Sequence, residues 1–177
     1  MKSRPDRYGS VAVTFHWLSA IAILVLIGSG FRAAMTVDPA AKLALLQLHV
    51  PLAITVLVLT LARIAWWLFA DRKPKPIAGT PIWQEASARG VHLLLYVVLF
   101  LMIGSGIALM AASGAGNILF AGTGTLPDFA DYTPRAAHGI GALLLIALLA
   151  GHIGAALYHQ LVRRNNIFKR IWYGRSQ

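Results

Sequence analysis

The chain has no cysteine. That excludes disulfides, thiolate zinc sites, iron–sulfur clusters and prosthetic groups attached through a C-x-x-C-H motif. Charge is scarce as well. Charged residues make up 12% of the 177 positions, where a soluble domain carries about 25%. The acids are only Asp6, Asp38, Asp71, Glu85, Asp128 and Asp131. No G-x-G-x-x-G or G-x-x-x-x-G-K-[ST] run occurs, so no built-in nucleotide or flavin site is indicated.

What is present is apolar. Hydrophobic residues are 58% of the chain and the mean hydropathy is +0.67. This fits an integral membrane protein and neither a soluble nor a disordered one. A spanning helix needs about 20 apolar residues. Four stretches qualify, at about 11–31, 43–69, 91–112 and 136–162. Backbone polar groups in hydrocarbon must bond internally, so each stretch is expected to be a helix. The expected architecture is an all-α transmembrane four-helix bundle, one domain over residues 1–177, with no room for a soluble catalytic domain. Residues 71–81, rich in charge and proline, and 113–134, rich in glycine and threonine, read as loops. The first span begins like a signal peptide. Its apolar run is too long for one and holds His16-Trp17, so a retained helix is expected.

The basic residues orient the bundle. Lys2, Arg4 and Arg7 precede the first span. Arg63, Arg72, Lys73, Lys75 and Arg89 lie in or beside the central loop, and Arg163, Arg164, Lys169, Arg170 and Arg175 follow the last span. The other side keeps Arg32, Lys42 and Arg135. Both termini are therefore expected in the cytoplasm. The net charge of +10 then serves topology and lipid contact, with no nucleic-acid partner. Trp66, Trp67, Trp83 and Trp172 fall near the inner boundaries and read as interfacial anchors.

An internal repeat is visible. His16 is followed by Gly28-Ser29-Gly30, and His92, at the same offset, by Gly104-Ser105-Gly106. His49 then opens the second helix and His138 the fourth. The glycines permit close approach of backbones or of a flat ligand. All six histidines, His16, His49, His92, His138, His152 and His159, fall on the spans or their ends, where ionisable groups are costly and usually functional. Fourteen residues separate His138 from His152, nearly four helical turns, which puts both on one face about 21 Å apart. His159 shares that face. By depth, His49 and His138 form an outer pair, while His16, His92, His152 and His159 are the inner candidates.

Zinc would want more ligands, commonly with carboxylate or thiolate, and the acids lie in loops or at helix ends. Haem iron needs only two axial ligands from the protein, and its apolar faces bury well between helices. Two bis-histidine b-type haems are the economical reading. A proton relay would usually want buried carboxylates too.

On these residues the sequence resembles the bacterial cytochrome b561 family of small four-helix di-haem proteins. It is also similar to the cytochrome b subunits of membrane hydrogenases and formate dehydrogenases. The matching features are His16-Trp17, Leu48-His49-Val50, Lys73-Pro74-Lys75-Pro76, Arg135-Ala136-Ala137-His138 and Gly151-His152. The resemblance implies that His49 and His138 hold the outer haem iron, and His16 and His152 the inner. The internal repeat would instead nominate His92 beside His16. His92 and His159, with Tyr8 and Ser10, remain for a quinone site or for support of the ligands.

The small stand-alone members resemble superoxide oxidases of the bacterial inner membrane. That implies oxidation of superoxide at the periplasmic face and reduction of ubiquinone in the membrane. Arg32, Lys42 and Arg135 would draw in the anion, though interfacial anchoring and haem-propionate pairing are the plainer roles for them. Two rivals stand beside this reading. One is an anchor subunit fed by a redox partner protein, which the loop at 113–134 could contact through Phe120, Phe129 and Tyr132. The other is a non-haem histidine transporter. Arg63 lies within the second span, where it either snorkels to the interface or meets an inner haem propionate.

Overall fold

The computed structural model describes residues 1–77, 79–121 and 124–173. It is all-helical over these residues. Helix α1 is Ser10–Met35 and α2 is Pro39–Ala65, which runs on through a π-helical turn, Trp66–Ala70. Helix α3 is Ile82–Ser113, α4 is the short Ala115–Ala121, α5 is Pro134–Leu161 and α6 is Ile167–Arg170. Four helices are long and apolar enough to cross a membrane: Ser10–Met35, Pro39–Ala70, Ile82–Ser113 and Pro134–Leu161.

The helix ends follow local chemistry. Pro39 and Pro134 stand at helix starts, where the missing N–H costs nothing. The Asp38 carboxylate accepts from the Ala40 N–H at 3.0 Å. Helix α3 stops at Gly114, whose φ of +67° is a left-handed cap that favours glycine. Helices α1, α2 with its π-helical turn, and α3 extend past both ends of their apolar runs, whereas α5 starts two residues early and stops one residue short of 162. The largest extension is at the start of α3, which takes in Trp83, Glu85 and Arg89. An i,i+4 ion pair between Arg89 and Glu85, 3.0 Å, lets that polar turn stay helical. Within 113–134 the described residues include α4 and a 3-10 turn at Phe129–Asp131.

Helices α1 and α2 form one antiparallel hairpin through a three-residue link, and α3 packs on α5 to form a second. The two hairpins are the two copies of the sequence repeat. They meet at mid-depth through a small apolar cluster of Ala22, Val56 and Leu99, flanked by Ile23, Leu26, Leu52 and Ile103. Val56 is fully buried. Large apolar side chains such as Leu24, Leu93, Leu101 and Leu143 point outward, as a lipid-facing bundle requires.

Both chain ends lie at one end of the bundle with the 71–77 segment. The Tyr8 N–H donates to Arg170 O at 3.0 Å, and the Lys75 N–H to Pro5 O at 2.9 Å. The Arg170 guanidinium donates to the carbonyls of Asp6 and Lys75. The Trp17 indole donates to Ile171 O at 2.9 Å. This is called the inner end below, after the distribution of basic residues.

Candidate haem sites

Above the mid-depth cluster the hairpins part around a cavity of about 1600 Å³. That exceeds the ~300–1,000 Å³ of ordinary small-molecule pockets and leaves room for a porphyrin-sized group. Its walls are mainly aliphatic, and His49 and His138 project into it from opposite hairpins. Their ring centres are 6.3 Å apart with planes at 72°. Two imidazoles on opposite sides of one metal ion, with bonds of about 2.0–2.1 Å, have ring centres about 6 Å apart. The spacing fits an axial pair.

The two ligand positions are built alike. His49 Nδ1 lies 3.0 Å from Ser29 Oγ, and His138 Nδ1 lies 3.0 Å from Ser105 Oγ. Each serine hydroxyl also bonds a carbonyl of its own helix, Leu26 O at 3.1 Å and Met102 O at 2.9 Å. His138 Nδ1 is in addition 3.1 Å from Met102 O. A carbonyl only accepts, so this Nδ1 carries the proton and Nε2 keeps its lone pair for iron. The sequence reading did not nominate these serines as partners of the rings. Their signal was there, since each stands between the two glycines of the repeated Gly-Ser-Gly.

The glycines act on the same rings. A Cβ built at Gly30 would lie 3.0 Å from His49 Cε1, and one at Gly106 would lie 3.3 Å from His138 Cε1. Gly28 and Gly104 have open space instead. Lys42 and Arg135 line the cavity, as do Phe120, Phe129 and Tyr132. Arg32 is exposed and is not among the lining residues.

Below the mid-depth cluster lie the inner histidines. His92 and His152 touch, with ring centres 5.2 Å apart. Both belong to the α3–α5 hairpin. Their spacing is about 1 Å too short to bracket a metal on two sides. His16 approaches from the other hairpin, within electrostatic reach of His92, His152 and Arg63. Its ring stacks edge-on with Trp17 at 5.3 Å. Among the described residues no group of three or more His, Asp or Glu is arranged to hold a bare metal ion.

The remaining nominated residues divide. Tyr8 packs edge-on to Trp67 at 5.9 Å. Burial pushes its phenol above the ordinary value of 10, against the pull of Arg170 and Arg63. Ser10 Oγ accepts from the N-terminal amine at 3.0 Å, which commits it to the chain end. His159 sits at the end of α5, its Nδ1 3.2 Å from Asn165 Nδ2 and its ring against Tyr158.

Comparison with known proteins identifies the family. The model of the family described as prokaryotic cytochrome b561 matches residues 7–174. The chain belongs to that family. It is 27% identical to cytochrome b561 homolog 2 of Escherichia coli, over 94% of this chain and 92% of the relative. It is 26% identical to cytochrome b561 homolog 1 of the same organism, over 94% and 97%. It is 31% identical to a cytochrome b562 of Cereibacter sphaeroides, over 93% and 94%. A cytochrome b561 is a bacterial membrane cytochrome b that binds b-type haem and transfers electrons. The non-haem transporter reading is therefore set aside.

Proposed function

We propose that this cytochrome b561 carries electrons across the membrane through two haems, oxidising superoxide outside and reducing ubiquinone on the inner side. The observation that carries the reading is the His49/His138 pair, two imidazoles from opposite hairpins, 6.3 Å apart, each tied at Nδ1 to a serine. Haem iron bound there supplies a reversible one-electron couple. His49 and His138 would hold the outer group. His16 and His152, which come from opposite hairpins, would hold the inner group, and His92, beside His152 on one hairpin, would support that ligand.

Two superoxide anions lose one electron each to give two dioxygen molecules. One ubiquinone takes up both electrons and two protons to give ubiquinol. Lys42 and Arg135, at the cavity wall, would concentrate the anion. The apolar walls exclude water, and the fixed tautomer of His138 keeps Nε2 available to metal. Tyr8 and His159 lie at the inner end, where a quinone head group would find polar partners. Both termini would then lie in the cytoplasm. Inward electron flow opposes a membrane potential negative inside by about 2.3 kcal/mol per 100 mV for a full crossing, so the quinone must be the stronger oxidant by more than that.

The open cavity also favours a second reading, a subunit that receives electrons from a docked redox protein. Phe120 is exposed at its rim. One experiment separates the two. The detergent-purified protein is titrated for haem by pyridine haemochrome, then mixed with superoxide under a visible spectrometer. Two haems per chain and rapid reduction, abolished by superoxide dismutase, support the oxidase. Two haems that superoxide leaves oxidised support the partner-fed reading.

A further inference from the structure

Arg63 is an unusual occupant of its position. In the hairpin α3–α5, His152 follows His138 by fourteen residues; in the hairpin α1–α2, Arg63 follows His49 by the same fourteen. The repeat thus puts a guanidinium where its other copy has an inner histidine. Arg63 Nε is buried without a hydrogen-bond partner. Its Cζ stands 6.0 Å over the Tyr96 ring. It acts electrostatically on His16, His92 and His152 together. A snorkelling arginine would send its head to water; this one keeps its Nε buried and its guanidinium over the Tyr96 ring.

Among the described residues no carboxylate is placed to neutralise it. Asp6 pairs with Arg7 and Glu85 with Arg89. Asp71 is engaged by Ser3, Trp66 and Arg72. Asp38 and Asp128 cap their own turns, and Asp131 lies beside Asp128 in the 3-10 turn before α5, at the outer end. The α2 carbonyls do not use up the charge either. The chain continues into the π-helical turn, and the Trp66 N–H donates to the carbonyls of Ala62 and Arg63. A cation inside the membrane needs a compensating negative group or a function. At the outer site the cations are Lys42 and Arg135 on the cavity wall, open to solvent ions that screen them.

We propose that Arg63 is a redox-positioning residue. Its charge stabilises the inner site when that site holds the added electron, and so keeps the inner haem at a higher reduction potential than the outer one. An electron lost by the outer centre is then gained by the inner centre downhill. The inference rests on the reading that the inner histidines hold a second haem. It goes beyond that reading by giving the direction of transfer a cause in the chain.

The test is an anaerobic redox titration of the purified holoprotein, followed at the haem α band, for wild type, Arg63→Gln and Arg63→Lys. Haem per chain is counted in each. The outer wave is identified by its loss in His49→Ala. The expected result is two one-electron waves in wild type, the higher one inner. In Arg63→Gln the reduction equilibrium of the inner centre falls at least tenfold, about 59 mV for one electron, while the outer wave stays. Arg63→Lys restores most of the shift. Loss of the inner haem from the glutamine variant alone, with retention in the lysine variant, also supports a role for the charge. Unshifted waves in Arg63→Gln overturn the inference, as do equal shifts or equal haem loss in both variants. A wild type with one haem per chain overturns the two-haem reading and the inference with it, whereas two unshifted haems overturn the inference alone.

Discussion

Gly30 lies directly under the imidazole of His49, so that a methyl group on its Cα would come within 3.0 Å of the ring. Gly106 stands in the same relation to His138, at 3.3 Å. Both α1 and α3 carry another glycine one position before the intervening serine, Gly28 and Gly104, with nothing near it. The four glycines therefore form a matched set of two constrained and two free positions. Alanine in a helix is favoured over glycine by about 1 kcal/mol, and overpacking costs about 1–3 kcal/mol. Gly28→Ala and Gly104→Ala should be neutral or stabilising in thermal unfolding. Gly30→Ala should displace His49 by a few tenths of an ångström and weaken outer haem binding, with Gly106→Ala milder. Haem retained per chain after gel filtration measures the series, and equal retention in all four variants would contradict it.

Ser29 and Ser105 hold the rings that the glycines make room for. Removing a partner of a ligand's second ring nitrogen typically costs 10–100-fold in metal affinity. Ser29→Ala should fall in that range. Ser105→Ala should fall in the same range, since each ring also has a carbonyl of the neighbouring helix, Leu26 O for His49 and Met102 O for His138. Haem dissociation rates to excess apomyoglobin would measure both; unchanged rates would show that the carbonyls hold the rings without the serines.

Much of the fold was legible in the sequence. Apolar length identified all four spans, and the repeat that pairs His16 with His92 became two similar hairpins. The stacked histidines of α5 gave the two depths, His138 at the outer cavity and His152 at the inner cluster. Helix ends were less legible. The start of α3 hides in a polar turn that Glu85 and Arg89 keep helical through their ion pair, and hydropathy registers that turn only as charge. The serines were missed because a hydroxyl within an apolar run reads as filler until the ring it bonds is seen. Arg32 was grouped with Lys42 and Arg135 by depth, and depth carries no information on which face of α1 it occupies.

Asp71 ties the chain start to the end of α2. Its carboxylate accepts from the Ser3 N–H at 2.9 Å, the Ser3 hydroxyl at 2.8 Å, the Trp66 indole at 3.2 Å and the Arg72 N–H at 2.8 Å. Partial burial would raise its pKa. The hydrogen bonds from Ser3, Arg72 and Trp66 outweigh that and hold it below the ordinary 3.8. A depressed carboxylate stabilises the fold above its unfolded pKa, and the contribution is lost as pH falls through the folded value. Asp71→Asn should therefore cost about 1 kcal/mol near neutral pH, modest because the group is largely solvated. The gap in melting temperature from wild type should narrow only below about pH 4. Melting curves in detergent between pH 3 and 7 test this, and a gap independent of pH would assign the effect to packing.

Lys42 and Arg135 line the outer cavity, whereas Arg32 is exposed and outside it. If superoxide enters here, association should depend on the two cavity cations far more than on the third. Charge reversal at a focusing site changes association rates by about tenfold or more, and the effect falls with ionic strength. Lys42→Glu and Arg135→Glu should each slow haem reduction by superoxide about tenfold at low salt and less at high salt. Arg32→Glu should change it little. Arg135 also stands on the ligand helix itself, three residues before His138, its Nη1 3.1 Å from where a Cβ on Gly139 would sit, so its reversal should in addition shift the outer haem potential downward, which Lys42→Glu should do less. Stopped-flow rates at two ionic strengths, read with the potentials of the same preparations, separate guidance of the anion from tuning of the iron. Three variants with equal rates and an unchanged salt dependence would mean that Lys42 and Arg135 do not guide the anion.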